Sequence, residues 1–264
     1  MSANILSIAG SDPSGGAGIQ ADLKTFGALG CYGMAVITAL TAQNTRGVSA
    51  IHIPPPDFIA AQIDAIFADI RVDAVKIGML ANGAIAQVVA ERLACHKARN
   101  IVLDPVLVAT SGDSLGAPDV VEAMRQALFP LAALVTPNLP EAARLAGLPQ
   151  PLDLAGMEAC GRALTGQGAQ AVLVKGGHMA GEMAIDMLVT PAACQRFEAR
   201  RIDTPNTHGT GCTLSSAIAA GLGRGLDLVA AISAAKIYLG GALQHSATLA
   251  VGTGHGPVQH FWRR

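Results

Sequence analysis

The sequence predicts an α/β fold: a three-layer α/β/α sandwich with a mainly parallel, doubly wound sheet and one antiparallel hairpin at the sheet edge. Three observations predict it. Short apolar runs that end in glycine, proline or a polar residue alternate with alanine- and leucine-rich helical patterns, the rhythm of repeated strand, helix, strand units. Two strand-like runs at 184–189 and 196–201 follow one another with only Thr190-Pro191 and a short loop between them, which leaves no room for a helix and marks a hairpin. The residues that follow the apolar runs are polar or glycine, as expected where the carboxyl ends of parallel strands share one ligand-binding edge.

Along the chain, the first apolar run, 5–9, closes on Gly10 and a glycine-rich loop, then opens into a helical pattern over 17–29. The second, 34–40, leads through polar residues to Pro54-Pro55-Pro56, read as the stop before a helix over 57–69 rather than as a domain joint. Runs at 74–77 and 101–103 hand over to helices at 84–96 and 118–128; a run at 133–135 precedes helices at 140–146 and 154–167. The last parallel run, 172–174, leads into the hairpin, and two alanine-rich helices, 211–222 and 227–245, complete the order. No repeat, linker or low-complexity tract interrupts it, so residues 1–264 are expected to form a single domain.

Composition narrows the function. About half of the residues are apolar, few are aromatic, and the net charge is −1, which leaves neither a basic footprint nor stacking platforms for nucleic acid. No apolar stretch reaches membrane-spanning length and the first residues lack a secretory pattern, so a soluble cytoplasmic protein without a membrane partner is expected. Cys31, Cys95, Cys160, Cys194 and Cys212 are odd in number and show no metal spacing, which argues for reduced thiols rather than disulfides or zinc.

The most informative segment is Thr207-His208-Gly209-Thr210-Gly211-Cys212-Thr213. Gly209 and Gly211 open an apolar helix and bring backbone N–H groups to its positive end, a cradle for an oxyanion or phosphate, or else simply a sharp turn. Cys212 falls at that helix start, where the dipole favours a thiolate; it is a candidate acid or base, or a packed thiol. The loop at 10–18 lacks the spacing of a dinucleotide or Walker motif, so its glycines either form a plain turn or admit a compact ligand, with Asp22 a candidate acceptor for a ligand hydroxyl.

Gln43 offers an acceptor and a donor side by side, a match for an aminopyrimidine edge, although a loop amide needs no ligand. Asn138 and Glu141, three apart at a helix start, suit a capping arrangement; with Asp104 they also supply oxygens of the kind Mg²⁺ takes. Lys175, beside two glycines at a strand end, adds the positive charge that phosphates need.

These blocks together resemble one family over essentially the whole length: the ribokinase-like small-molecule kinases, and within them the hydroxymethylpyrimidine/phosphomethylpyrimidine kinases of thiamine biosynthesis. The likeness is carried by Gly10-Ser11-Asp12-Pro13-Ser14-Gly15-Gly16-Ala17-Gly18, Thr41-Ala42-Gln43-Asn44, Lys76-Ile77-Gly78-Met79, Asp104-Pro105-Val106, Thr136-Pro137-Asn138-Leu139-Pro140-Glu141, Val174-Lys175-Gly176-Gly177-His178 and the turn at 209–212. The resemblance implies a homodimeric kinase that uses ATP and Mg²⁺ to phosphorylate 4-amino-5-hydroxymethyl-2-methylpyrimidine and then its monophosphate. It implies that Cys212, Lys175, Gly209 and Gly211 serve catalysis, with Cys212 where most of the superfamily has an aspartate base. It places Lys175, Asn138 and Thr210 on the nucleotide, Asp104 and Glu141 on the metal, and Gly10, Asp22, Gln43 and Met79 around the pyrimidine. Some members have glutamate where this chain has Gln43. Pyridoxal kinase activity is the alternative, and a pyrimidine-binding sensor without turnover is the alternative of another class.

Overall fold

The computed structural model describes residues 2–107, 117, 119–177 and 179–263. Among the described residues nine strands form one sheet in the order β3-β2-β1-β4-β5-β6-β7-β8-β9. Its parallel centre consists of β2 (Tyr32–Asn44), β1 (Asn4–Ser11), β4 (Ala74–Ile77), β5 (Ile101–Leu103), β6 (Leu134–Val135) and β7 (Val172–Lys175). At one edge β8 (Met183–Val189) and β9 (Cys194–Arg200) continue antiparallel from β7, which is the expected hairpin.

Alternation along each strand sends side chains to two separate cores. On one face Leu6, Ile8, Val75, Ile77, Val172 and Val174 pack under α2 (Pro56–Asp69), α3 (Gly83–Cys95), α5 (Leu139–Ala146) and α6 (Leu154–Gly166). The same core takes in α4 (Val120–Ala123) and the wider π-turns of 124–128. On the other face Ile5, Ala74, Val102 and Leu173 pack under α1 (Gly18–Ala28), α7 (Thr210–Gly223) and α8 (Leu228–Gln244).

Two expectations are corrected. The second strand runs past residue 40 to Asn44 and turns back into an antiparallel strand, β3 (Gly47–His52), that the sequence reading omitted. Every residue of β3 is at least partly exposed, so it carries none of the buried alternation that identifies a strand. Gln43 therefore lies within a strand pair rather than after a strand. The helix expected over 118–128 is α-helical only over 120–123 among the described residues, and Pro118, like His178, lies outside them.

Candidate active site

The loop after β1, Asp104 after β5 and Lys175 at the end of β7 meet the start of α7. Gly209 caps that helix with φ of 77°, a left-handed conformation that suits glycine, and no side chain caps the first turn. A Cβ on Gly209 would lie 1.9 Å from the Gly16 carbonyl oxygen, and one on Gly211 would lie 3.2 Å from Lys175 Nζ. The turn is thus pressed between the glycine loop on one side and a lysine on the other.

Lys175 Nζ donates to Asp104 Oδ1 at 2.6 Å, and Asp104 also accepts from Thr136 Oγ1 at 3.0 Å and from Ser215 Oγ at 3.1 Å. Burial would raise the Asp104 pKa, but Lys175 and Lys76 outweigh it and hold the carboxylate ionised. Burial would lower the Lys175 pKa; Asp104 and Glu141 reverse this and keep a cation beside the helix start.

Asn138 and Glu141 form a reciprocal capping box at the start of α5: Asn138 Oδ1 accepts from Glu141 N at 2.9 Å, and Glu141 Oε2 accepts from Asn138 N at 2.8 Å. Burial, with Asp104 nearby, pushes the Glu141 carboxyl up to about 7 despite Lys175. Two neighbouring buried carboxylates are the donor chemistry of a magnesium site, and a divalent cation would relieve their mutual repulsion. Among the described residues there is no group of three or more His, Cys, Asp or Glu that could hold a metal. That donor set suits an ion that keeps waters and phosphate oxygens among its ligands.

Cys212 is partly buried, and burial pushes its thiol up to about 11 despite Lys76 and a hydrogen bond from the Gly18 backbone N–H. The thiolate expected from the helix dipole is corrected: at neutral pH this is a thiol. Gly10 and Met79 lie together, a Cβ on Gly10 falling 3.0 Å from Met79 Sδ, while Thr41 Oγ1 donates to the Ser11 carbonyl at 2.8 Å and lies 3.1 Å from Gln43 Oε1. The structure so brings Gly10, Met79 and Gln43 to the same edge as the glycine turn.

Asp22 does not join them. It is fully buried, and its two oxygens are saturated by Lys76 Nζ at 2.9 Å, Ser7 Oγ at 2.6 Å and Ser216 Oγ at 2.7 Å. The expected ligand contact is corrected, because no lone pair is left to face a pocket. Lys76, Ser215 and Ser216 were missed. A lysine within the apolar run Ala74-Val75-Lys76-Ile77 was the one available signal.

Phosphoryl transfer to a small alcohol asks for positioning and charge neutralisation more than for covalent chemistry, and that is what this edge offers. Fold and edge together make the chain a ribokinase-like small-molecule kinase. The sequence comparisons narrow the class. A profile of the phosphomethylpyrimidine kinase family matches residues 12–259. The hydroxymethylpyrimidine/phosphomethylpyrimidine kinase of Salmonella typhimurium is 54% identical over 98% of this chain and 97% of its own. Among solved structures, the phosphomethylpyrimidine kinase of Clostridium difficile superposes with a TM-score of 0.80 at 42% identity, covering 91% of this chain and 99% of that one. An ADP complex of Bacillus subtilis pyridoxal kinase reaches 0.90 at 36% identity, covering 98% of both. The chain belongs to the phosphomethylpyrimidine kinase family, and its reaction is phosphorylation of hydroxymethylpyrimidine and of its monophosphate in thiamine biosynthesis.

Proposed function

We propose that this reaction takes place where Gly211 meets the Lys175–Asp104 pair, with ATP as the donor. The observation that carries the reading is that pair beside the start of a helix that no side chain caps: the Lys175 ammonium lies against Gly211, at the positive end of α7. Lys175, Gly209, Thr210 and Gly211 hold the transferring phosphoryl group, and Asn138 keeps the neighbouring helix start in place for the nucleotide. Asp104 and Glu141 hold Mg²⁺, which supplies further positive charge to the phosphates when bound. Gly10, Gln43 and Met79 receive the pyrimidine, Gln43 by pairing with its neutral aminopyrimidine edge.

Cys212 orients the attacking hydroxyl. A thiol with a pKa near 11 leaves little thiolate at neutral pH, and a loose transition state needs early deprotonation least. The test is steady-state turnover of the pyrimidine alcohol, its monophosphate and pyridoxal with ATP and Mg²⁺. Turnover of both pyrimidines is expected; turnover of pyridoxal alone would move the assignment to the second reading, which the similarity to pyridoxal kinase favours. Tight pyrimidine binding without any turnover would establish a sensor instead. In the same assay Cys212→Ala lowers kcat more than it weakens ATP binding, whereas Lys175→Ala damages both; unchanged turnover in the cysteine variant removes Cys212 from the mechanism.

We further propose that the chain works as a homodimer in the cytoplasm. All five cysteines are free, in keeping with a reducing compartment. No helix among the described residues is long and apolar enough to cross a membrane.

A further inference from the structure

The glycine loop after β1 and the glycine turn before α7 are joined by a contact that the reaction described above does not use. His208 Nε2 lies 2.8 Å from Asp12 Oδ2, and both side chains are buried, 7% and 2% exposed. Asp12 organises its own loop. Its Oδ1 accepts from Ser14 N at 2.9 Å and Ser14 Oγ at 2.7 Å, and its Oδ2 accepts from Gly16 N at 3.1 Å and Ala17 N at 2.8 Å. Burial opposes the charge on Asp12, but His208, Ser14 and Ala17 overcome it and hold the carboxyl well below the usual range.

His208 is equally constrained from its own side. It immediately precedes Gly209, and its backbone N–H donates to the Gly256 carbonyl at 3.0 Å. The segment carrying Gly256 is tied in turn to the β2–β3 turn, where His255 N donates to the Thr45 carbonyl at 3.0 Å and Gly254 N to Thr45 Oγ1 at 3.2 Å. There is no slack at the junction: a Cβ on Gly16 would fall 2.3 Å from His208 Cδ2.

We infer that Asp12 and His208 are positioning residues for phosphoryl transfer, a clasp that keeps the anion cradle at 209–212 in register with the loop that carries Gly10 and Gly18. The inference rests on the site proposed above. β1, α1 and α7 already share a hydrophobic core, so the clasp is not needed to bring these elements together. A buried polar contact of this kind contributes little net stability against an apolar replacement, and its distinctive effect is alignment. Alignment matters here because a misplacement of about 1 Å between reacting groups costs on the order of 100-fold in rate.

The experiment compares His208→Ala, Asp12→Asn and the double variant with the unchanged chain, in pyrimidine turnover and in ADP binding by calorimetry. Each single variant is expected to lose about tenfold or more in kcat while both KM values and the ADP Kd stay within about threefold, a split that general destabilisation does not produce. The double variant is expected to be no slower than the slower single variant, since both remove one contact. A folded His208→Ala chain with kcat within about twofold of the original, or losses that multiply in the double variant, overturns the clasp. If the alanine variant does not fold, His208→Gln and His208→Asn decide. The glutamine amide can reach Asp12 and should restore turnover, the shorter asparagine should not, and equal rates overturn the proposal. Absence of turnover in the unchanged chain overturns the site assignment beneath the clasp, and the clasp with it.

Discussion

Lys76 and Asp22 show what a single residue can conceal. Lys76 lies on an otherwise apolar strand and points to the α1 and α7 face, while Val75 and Ile77 point to the opposite core. Its ammonium is fully buried on Asp22, whose carboxylate also receives a hydroxyl from Ser216 on α7. Burial would discharge the lysine, but Asp22 reverses this and its pKa rises above the ordinary value. Removing one partner leaves the other charge buried and unpaired, so Lys76→Met and Asp22→Asn should each cost about 3–5 kcal/mol of stability, whereas replacing both with apolar side chains should cost less than either. Urea denaturation of the three variants checks this, and additive losses would show that the two residues are not a unit. The sequence reading put Asp22 on the ligand because a carboxylate one turn into a glycine-opened helix looks available. Two of its three partners, Lys76 and Ser216, lie 54 and 194 positions away, at a range where spacing carries no information.

Among the elements, α7 joins the chemistry to the core. Consecutive serines bind two separate carboxylates, Ser215 to Asp104 and Ser216 to Asp22, and Thr213 Oγ1 lies 3.2 Å from His260 Nε2. Burial, with Lys24 adding to it, pulls His260 down from 6.5 to about 4, so it is neutral in the folded chain. Between those two values the unfolded chain binds the proton more readily, and the His260 contribution to stability is lost as pH falls from 6.5 to 4, then levels off. Glu141 acts in the opposite sense: raised from 4.5 to about 7, it favours the folded chain increasingly as pH falls through that range. The two are separated by His260→Gln. Across pH 6.5 to 4 its thermal midpoint should gain on that of the unchanged chain, and parallel pH profiles would show that His260 does not control the acid response. Helix starts were the part of the site most legible in the sequence, because a glycine or an Asn-x-x-Glu pattern specifies local backbone geometry. What the local pattern left open was whether Asn138 and Glu141 cap a helix or serve a metal; the cap is formed, and it leaves Glu141 beside Asp104.

At the scale of the whole molecule, β1, β4, β5 and β6 were legible because each is a short buried run that gives way to a helix, and the β8–β9 edge because no helix fits between its strands. The β3 edge was not, since its residues are all at least partly exposed and carry no burial signal. That same exposure bears on assembly. Leu40 is 45% exposed on the hairpin face it shares with Ala42 and Ala50, Ile51 is 38% exposed on the opposite face, and Ile53 and Phe58 follow at 42% and 60%. An apolar edge strand of this kind is an aggregation hazard unless covered, and a second copy of the chain would cover it if the proposed homodimer forms through this face. Sedimentation equilibrium should give twice the 26.8 kDa chain mass, and Leu40→Asp combined with Ile51→Asp should give monomers. Because Gln43 lies on the same hairpin, monomers should show a higher KM for the pyrimidine with the KM for ATP unchanged. A native chain that sediments as a monomer at micromolar concentration would rule out the dimer. A dimer that survives both substitutions would place the interface on another face, and Gln43 would then owe its position to β2 and β3 alone.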